Sequence, residues 1–341
     1  MKSIHELTAL VSALRDALAR DWRAALVTIL KTSGSTFRRV GAAMLVYPDG
    51  SVVNALSGGC PQRDLVEWAK GAIRSGRIQY VAYNAEQGLD LLLEMGCSGT
   101  LEVIVEPVSP ELTDFVDALE EAIGAREPFL ITTRYPAEGA PERVARTVSK
   151  ADSSVGPPTE VAQALCTCGA DGSVILEESF LPAIRLVIAG ACLEALDLAR
   201  TGRLLGWSGA IVDAAPERLE QMPSLVDGWE RCVAFPQALS VSTRIDASTA
   251  FVSMTHNLDQ DIAYLLAARD GGAFYLGALG SRERAHTVSR IINSSALHMP
   301  AGLDVGSNTS LEIGLAVVAE VMAHRNRRDG RPLRLSSGPI H

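Results

Sequence analysis

Arg185-Leu186-Val187-Ile188-Ala189-Gly190-Ala191-Cys192-Leu193-Glu194-Ala195 decides the fold of the second half of this chain. The apolar run 186–189 reads as a strand, Gly190 as the turn after it, and 193–205 as a helix. Residues 210–213 supply a second strand, and 250–254, 260–268 and 274–279 continue the alternation. That rhythm predicts a parallel sheet with helices on its faces. The same stretch is a damaged dinucleotide fingerprint. Of the required G-x-G-x-x-G/A, only Gly190 and the small Ala195 remain. Cys192 replaces the middle glycine, which normally lets a pyrophosphate approach the backbone, and Glu194 adds negative charge there. Asp213 ends the second predicted strand, about where a ribose-binding acid belongs. The pattern argues for the fold and against tight NAD(P) binding.

Further along the predicted sheet, His256 and Gly280-Ser281-Arg282 each follow a strand. They therefore belong to the carboxyl edge, where open α/β sheets bind ligands. A single histidine there reads either as a ligand or as a structural residue. Residues 311–325 form a long Ala/Val-rich helix expected to be largely buried, with Asp304 and Glu312 either orienting site groups or capping it.

Upstream, Ser57-Gly58-Gly59-Cys60-Pro61 leads into a helical pattern over 62–75. Pro61 suits a first helical position. Cys60 is then expected at the cap, facing unpaired N–H groups and the positive end of the helix dipole. Such a place lowers a thiol pKa and also receives anions. The glycine pair alone reads equally as a tight turn. Cys97 lies in a second glycine turn, Gly96-Cys97-Ser98-Gly99. Residues 7–19 predict an amphipathic helix, 24–31 and 43–47 strands, and Pro48-Asp49-Gly50 a hairpin turn before Val52-Val53. Strands follow near 78–83 and 101–106, then a helix over 110–123 with Ser109 as its cap. Residues 136–160, rich in Pro, Gly and Ser, read as a loop or linker.

The chain has 341 residues, a net charge of −9, 47% hydrophobic and 21% charged residues. Two domain cores are expected at this length. The acidic balance argues against general binding to nucleic acid or anionic membranes. No apolar run approaches the roughly 20 residues that span a bilayer, so a cytoplasmic protein is expected. Six cysteines are too sparse for a disulfide framework, and Cys166-Thr167-Cys168 has no matching second pair for a structural zinc site.

These motifs, in order, resemble the XdhC/CoxI family of xanthine dehydrogenase accessory factors. Gly34-Ser35-Thr36-Phe37-Arg38, with Gly41-Ala42-Ala43-Met44-Leu45-Val46, is similar to that family's GSTPR-x-x-GA-x-M-L-V opening. Ser57-Gly58-Gly59-Cys60 matches its SGGC turn, and Gly96-Cys97-Ser98-Gly99-Thr100-Leu101-Glu102-Val103 its G-x-CGG-x-x-EV segment. Thr255-His256 and Tyr275-Leu276-Gly277-Ala278-Leu279-Gly280-Ser281-Arg282 resemble its later blocks, and the likeness runs on through Glu312-Ile313 and Pro332-Leu333 to Ile340-His341.

The resemblance implies an α/β protein: a mixed α/β XdhC-type domain over 1–135, linker and connecting strands over 136–182, and a Rossmann-like domain over 183–341. It implies a cytoplasmic chaperone for the molybdenum cofactor, as molybdopterin or its cytosine dinucleotide. Such a chaperone holds the cofactor while a cysteine desulfurase replaces an oxo ligand by sulfur, then passes it to an apo-molybdoenzyme of the xanthine oxidase family. Members commonly form homodimers. Gly34, Gly58 and Gly59 would then allow close backbone approach, Ser35 and Thr36 would donate hydroxyls, and Arg38 would hold a phosphate or pterin edge. Arg38 also reads as a surface ion pair. Cys60 would touch molybdenum or relay sulfur, with Cys97, Ser98 and Gly99 as its companion turn. Gln62 stands where many relatives carry a glutamate; it retains hydrogen bonding but not a carboxylate's chemistry. In the second domain Gly190, Asp213, His256, Gly280, Ser281 and Arg282 would grip the nucleotide half or phosphate. The competing readings are an NAD(P)-linked oxidoreductase and a protein-binding adaptor.

Overall fold

The structure, a computed structural model, describes residues 3–20, 22–33, 38–56, 60–83, 100–137, 143–151, 164–224 and 228–335. The chain divides into two compact units, Met1–Pro182 and Ala183–His341.

The first unit opens with α1 (Ile4–Ala19), started by a capping box in which Ser3 and Glu6 satisfy each other's backbone N–H groups. Strands β1 (Ala25–Thr32), β2 (Ala43–Val46) and β3 (Val52–Val53) form a meander. Pro48-Asp49-Gly50 makes the β2–β3 turn as expected: Tyr47 N–H donates to Ser51 O at 2.9 Å, and Gly50 takes φ +89°. Helix α2 (Cys60–Ser75) and strands β4 (Gln79–Tyr83) and β5 (Leu101–Pro107) complete an antiparallel sheet of order β3-β2-β1-β5-β4.

Alternation along β1 separates two cores. Leu26 faces Leu7, Leu10 and Leu14 of α1, whereas Val27 and Ile29 join Leu65 and Ala69 of α2. A 3-10 turn (Pro110–Leu112) leads into α3 (Thr113–Ala125). Ser109 precedes that turn, but its side chain makes no capping hydrogen bond. The expectation of a serine cap is corrected: Pro110 supplies the start instead. Strands β6 (Phe129–Tyr135), β7 (Ala145–Lys150), β8 (Ala164–Cys168) and β9 (Val174–Phe180) form a second antiparallel sheet, order β7-β6-β9-β8. Three of these strands lie within the span read as linker and connecting strands.

The second unit is an α/β sandwich around a six-stranded, all-parallel sheet. Its strands are β10 (Arg185–Ala189), β11 (Ser208–Asp213), β12 (Trp229–Val233), β13 (Thr249–Ser253), β14 (Tyr275–Ala278) and β15 (Leu297–His298). The order β12-β11-β10-β13-β14-β15 is the 3-2-1-4-5-6 arrangement of dinucleotide folds, with its switch point between β10 and β13. The connecting helices are α4 (Leu193–Leu204), α5 (Pro216–Gln221), α6 (Leu239–Ser242), α7 (Leu258–Asp270), α8 (Arg282–Ile291) and α9 (Ser310–Arg325).

Leu186 and Ile188 face Leu196 of α4 and Val317 of α9; Val187 and Ala189 face Tyr264 and Leu265 of α7. Gly314 lets α9 lie close on α4, since a Cβ there would sit 3.2 Å from the Leu198 backbone. The expectation that α9 is largely buried holds for one stripe only: Gly314, Ala316, Val317, Val318 and Val321 are buried, but Leu311, Leu315 and Met322 are exposed. Among the described residues no helix is long and apolar enough to cross a membrane.

Candidate functional site

Antiparallel register gathers two connections at one edge of the first unit's sheet. Thr32 at the end of β1 pairs with Leu101 at the start of β5, and Leu101 also pairs with Tyr83 at the end of β4. The β1–β2 and β4–β5 connections therefore leave and re-enter the sheet at that edge, whereas the β3–α2 connection leaves from Val53, level with Leu45 and Leu26, and leads to α2. Ser33 and Thr100 extend the ladder one step: Ser33 N–H donates to Thr100 O at 3.0 Å, and the two hydroxyls lie 2.8 Å apart. Gly34, Ser35 and Thr36 follow Ser33 directly; Cys97, Ser98 and Gly99 directly precede Thr100. These six residues, with Gly58 and Gly59, lie outside the described residues.

Helix α2 begins at Cys60, which so falls in the first turn rather than at the cap. One turn on, Asp64 accepts the Tyr83 hydroxyl at 2.6 Å, tying the start of α2 to the same edge. Burial, then the Asp64 hydrogen bond and charge, push the Tyr83 pKa far up, so the phenol stays a donor. Gln62 accepts Leu56 N–H at 3.3 Å and directs its amide nitrogen at Met44 Sδ, 3.2 Å away. It thereby anchors the segment entering α2. Arg38 pairs with Glu6 Oε1 at 2.7 Å, both side chains at most one-quarter exposed, beside Asn54, which donates to Glu6 O. The ion-pair reading of Arg38 is thus realised in the β1–β2 connection.

In the second unit, Gly190 decides the geometry. Its φ is +112°, and a Cβ there would lie 2.5 Å from Met254 O and 3.1 Å from Thr255 Cα. The missing side chain lets the turn after β10 pack onto the turn after β13, at the switch point. Cys192 occupies the N-cap position of α4 in extended conformation, and Glu194 lies in the first turn. Burial first, then the hydrogen bond and charge of Glu194, push the Cys192 thiol up to about 11 against the pull of the Ala195 N–H. A cleft of about 210 Å³ opens beside it, lined by Ala191, Cys192, Leu196, Arg218 and Met222.

Asp213 is 2% exposed and fully engaged. It accepts Ala191 N–H and Ala215 N–H, each at 2.9 Å, and pairs with Arg218 at 2.8 Å. His256 is exposed, with φ +61°. Its ring meets the Cys192 thiol and Glu194 carboxylate: one ligand atom from each lies within 4.8 Å of the others. Ser281 caps α8, accepting Arg284 N–H at 3.3 Å, and the exposed Arg282 follows Gly280 into that helix.

Sequence reasoning missed Asp261, 1% exposed on α7. Its Oδ1 accepts Ser253 Oγ at 2.7 Å, Thr255 N–H at 3.0 Å and Thr255 Oγ1 at 2.7 Å, and Arg284 approaches Oδ2 at 3.4 Å. An acid in the first turn of a helix after a Thr-His-Asn turn is the available signal. Thr255 Oγ1 in turn accepts Asn257 N–H, so both neighbours of His256 are fixed to Asp261.

Comparison with known proteins agrees with this architecture. Residues 17–84 match the family model for the XdhC and CoxI family, and 186–321 that for the XdhC Rossmann domain. The molybdenum cofactor insertion chaperone PaoD of Escherichia coli is 28% identical over 321 residues, covering 91% of this chain and 86% of the relative. A probable xanthine dehydrogenase subunit of Bacillus subtilis is 24% identical over 325 residues, covering 92% and 96%. A solved structure described as a xanthine dehydrogenase from Bacillus halodurans shares the fold, with a TM-score of 0.76, 24% identity, and coverage of 95% and 98%.

Proposed function

Because the chain belongs to the XdhC and CoxI family, with both family regions in order on one polypeptide, we propose that it is a molybdenum-cofactor chaperone for a molybdoenzyme of the xanthine dehydrogenase kind. The observation that carries this reading is the meeting of two connections at one sheet edge, to which Tyr83 ties the first turns of α2. Gly34–Thr36 and Cys97–Gly99 belong to those connections, Gly58 and Gly59 lead into α2 at Cys60, and Ser33–Thr100 and Tyr83–Asp64 tie the flanks together. Backbone N–H groups at glycine turns suit the phosphate of a pterin cargo, and a thiolate suits molybdenum or a transferred sulfur. In this reading the edge holds the cofactor while a cysteine desulfurase exchanges its oxo ligand. The protein works in the cytoplasm as a homodimer and releases its cargo to the apoenzyme.

The oxidoreductase alternative needs a dinucleotide at the switch point of the second unit. Cys192 occupies the glycine position, and the Asp213 carboxylate is committed to Ala191, Ala215 and Arg218. Both features weigh against NAD(P), whose ribose would have to displace those bonds. Protein isolated from a molybdenum-replete host should carry molybdenum and pterin fluorescence in roughly equal amounts. Cys60→Ala should lose cargo or its sulfuration while remaining folded. Undiminished retention and full maturation of the client by that variant would remove the thiol from the scheme. Micromolar NAD(H) or NADP(H) binding in calorimetry would favour the oxidoreductase.

A further inference from the structure

We propose that Cys192, Glu194 and His256 form a binding site for a thiophilic divalent metal ion, zinc foremost, at the switch point of the second unit. The site is built from residues of the second unit alone and does not depend on the assignment of the first unit's sheet edge to the cofactor. Its geometry follows from the fold. Gly190 presses the turn after β10 onto Met254–Thr255, which brings the first turn of α4 against His256. A sulfur, an oxygen and a nitrogen donor then lie within 4.8 Å of one another. Zinc bonds of about 2.0–2.3 Å put tetrahedral ligand atoms about 3.3–3.8 Å apart. Side-chain rotation of about 1 Å closes the remaining gap.

The donor set fits such an ion in charge as well as in type. A thiolate and a carboxylate with a neutral imidazole offset two positive charges, and binding sends one proton from the Cys192 thiol to solvent. The Cys192 side chain and the Glu194 carboxylate stand where this fold ordinarily seats a pyrophosphate, which disfavours an anion at that position. The donors also sit on fixed supports. Cys192 and Glu194 belong to the start of a 12-residue helix, and His256 is held in the left-handed region between two residues fixed to the buried Asp261. Three protein ligands leave a fourth position, and the cleft beside Cys192 gives room there for water or a small anionic ligand.

The test uses the full-length chain, stripped of metal under reducing conditions and titrated with zinc against a chromophoric chelator, then with cobalt(II). One zinc per chain is expected at this site, together with a sulfur-to-cobalt charge-transfer band. Cys192→Ser should abolish that band, and His256→Asn, which tolerates the left-handed backbone, should weaken zinc binding by more than about 100-fold, beyond the 10–100-fold typical of supporting residues. Cys60→Ala should leave both readouts unchanged, which separates this site from the proposed cofactor edge. Circular dichroism and unfolding of His256→Asn without metal control for folding. A band that survives Cys192→Ser, or equal zinc affinity in wild type and a folded His256→Asn variant, overturns the proposal.

Discussion

The Tyr83 hydroxyl donates to Asp64 Oδ2 across 2.6 Å, fastening the first turns of α2 to the end of β4. Tyr83 pairs with Leu101 in β5, one residue beyond Thr100. One hydrogen bond therefore couples the position of Cys60 to the strand ends that bear the other two glycine-containing connections. Removing the hydroxyl in Tyr83→Phe leaves the ring's packing and takes away a bond to an ionised acid, at a cost of about 1.5 kcal/mol. The variant should remain folded and retain less molybdenum and pterin after isolation. Metal analysis beside a thermal melt checks this; full retention would detach α2 from cargo holding.

Gly190 carries a different load. Any side chain meets the Met254 carbonyl at 2.5 Å, and φ is +112°, which L-residues avoid. Neither backbone can yield without disturbing the parallel pairing of β10 with β13. Gly190→Ala should destabilise the second unit by about 2–4 kcal/mol, from strain and overpacking together. Urea unfolding followed by tryptophan fluorescence would report it through Trp207 and Trp229, both in that unit's core. A midpoint equal to wild type would contradict the close approach.

In the first unit, Arg146 and Glu106 form an ion pair whose side chains are only 7% and 10% exposed, with the guanidinium also set over Phe115 and Tyr135. A buried charge stripped of its partner is far costlier than a buried pair. Arg146→Ala should lose about 3–5 kcal/mol, whereas Glu106→Leu combined with Arg146→Met should recover most of that loss. Chemical denaturation of the two variants distinguishes them. A double variant no more stable than the single one would mean that the pair contributes net stability beyond avoiding an isolated charge.

The sequence exposes the parallel sheet because its signals are local. The apolar runs of β10, β11 and β13 and the Pro48-Asp49-Gly50 turn each fall within two residues of their expected places. Strands β7 and β8 escape notice for the opposite reason. Ala145–Lys150 is mostly exposed and has no apolar run, so only its long-range partner β6 makes it a strand. As part of a fingerprint, Asp213 points outward to a ribose. In the fold it turns inward because Arg218 and two backbone N–H groups compete for it, and Arg218 lies five residues downstream, outside any fingerprint. The meeting of Cys192 with His256 depends on strand order, which no local spacing encodes.

His324, near the end of α9, gives the second unit a pH dependence with a definite sign. Its ring accepts or donates to His298 at 3.1 Å and reaches Phe274 O at 3.1 Å. Burial, then the charge of His298, lower its pKa below the ordinary histidine value. The unfolded chain therefore binds a proton more readily than the folded one between the two values. Stability from this group is full above about pH 6.5 and is lost as pH falls through the range down to its folded pKa. Glu320 acts in the same direction at lower pH. Burial would raise its pKa, but hydrogen bonds from His298, Tyr275 and Gly302 outweigh that and hold it below the ordinary glutamate value. Its contribution is lost only as pH falls below about 4.3. Unfolding free energies measured between pH 5 and 7.5 should thus decline toward acid in wild type, and His324→Gln should flatten that slope while lowering the plateau. An unchanged slope in the variant would assign the acid sensitivity to other groups.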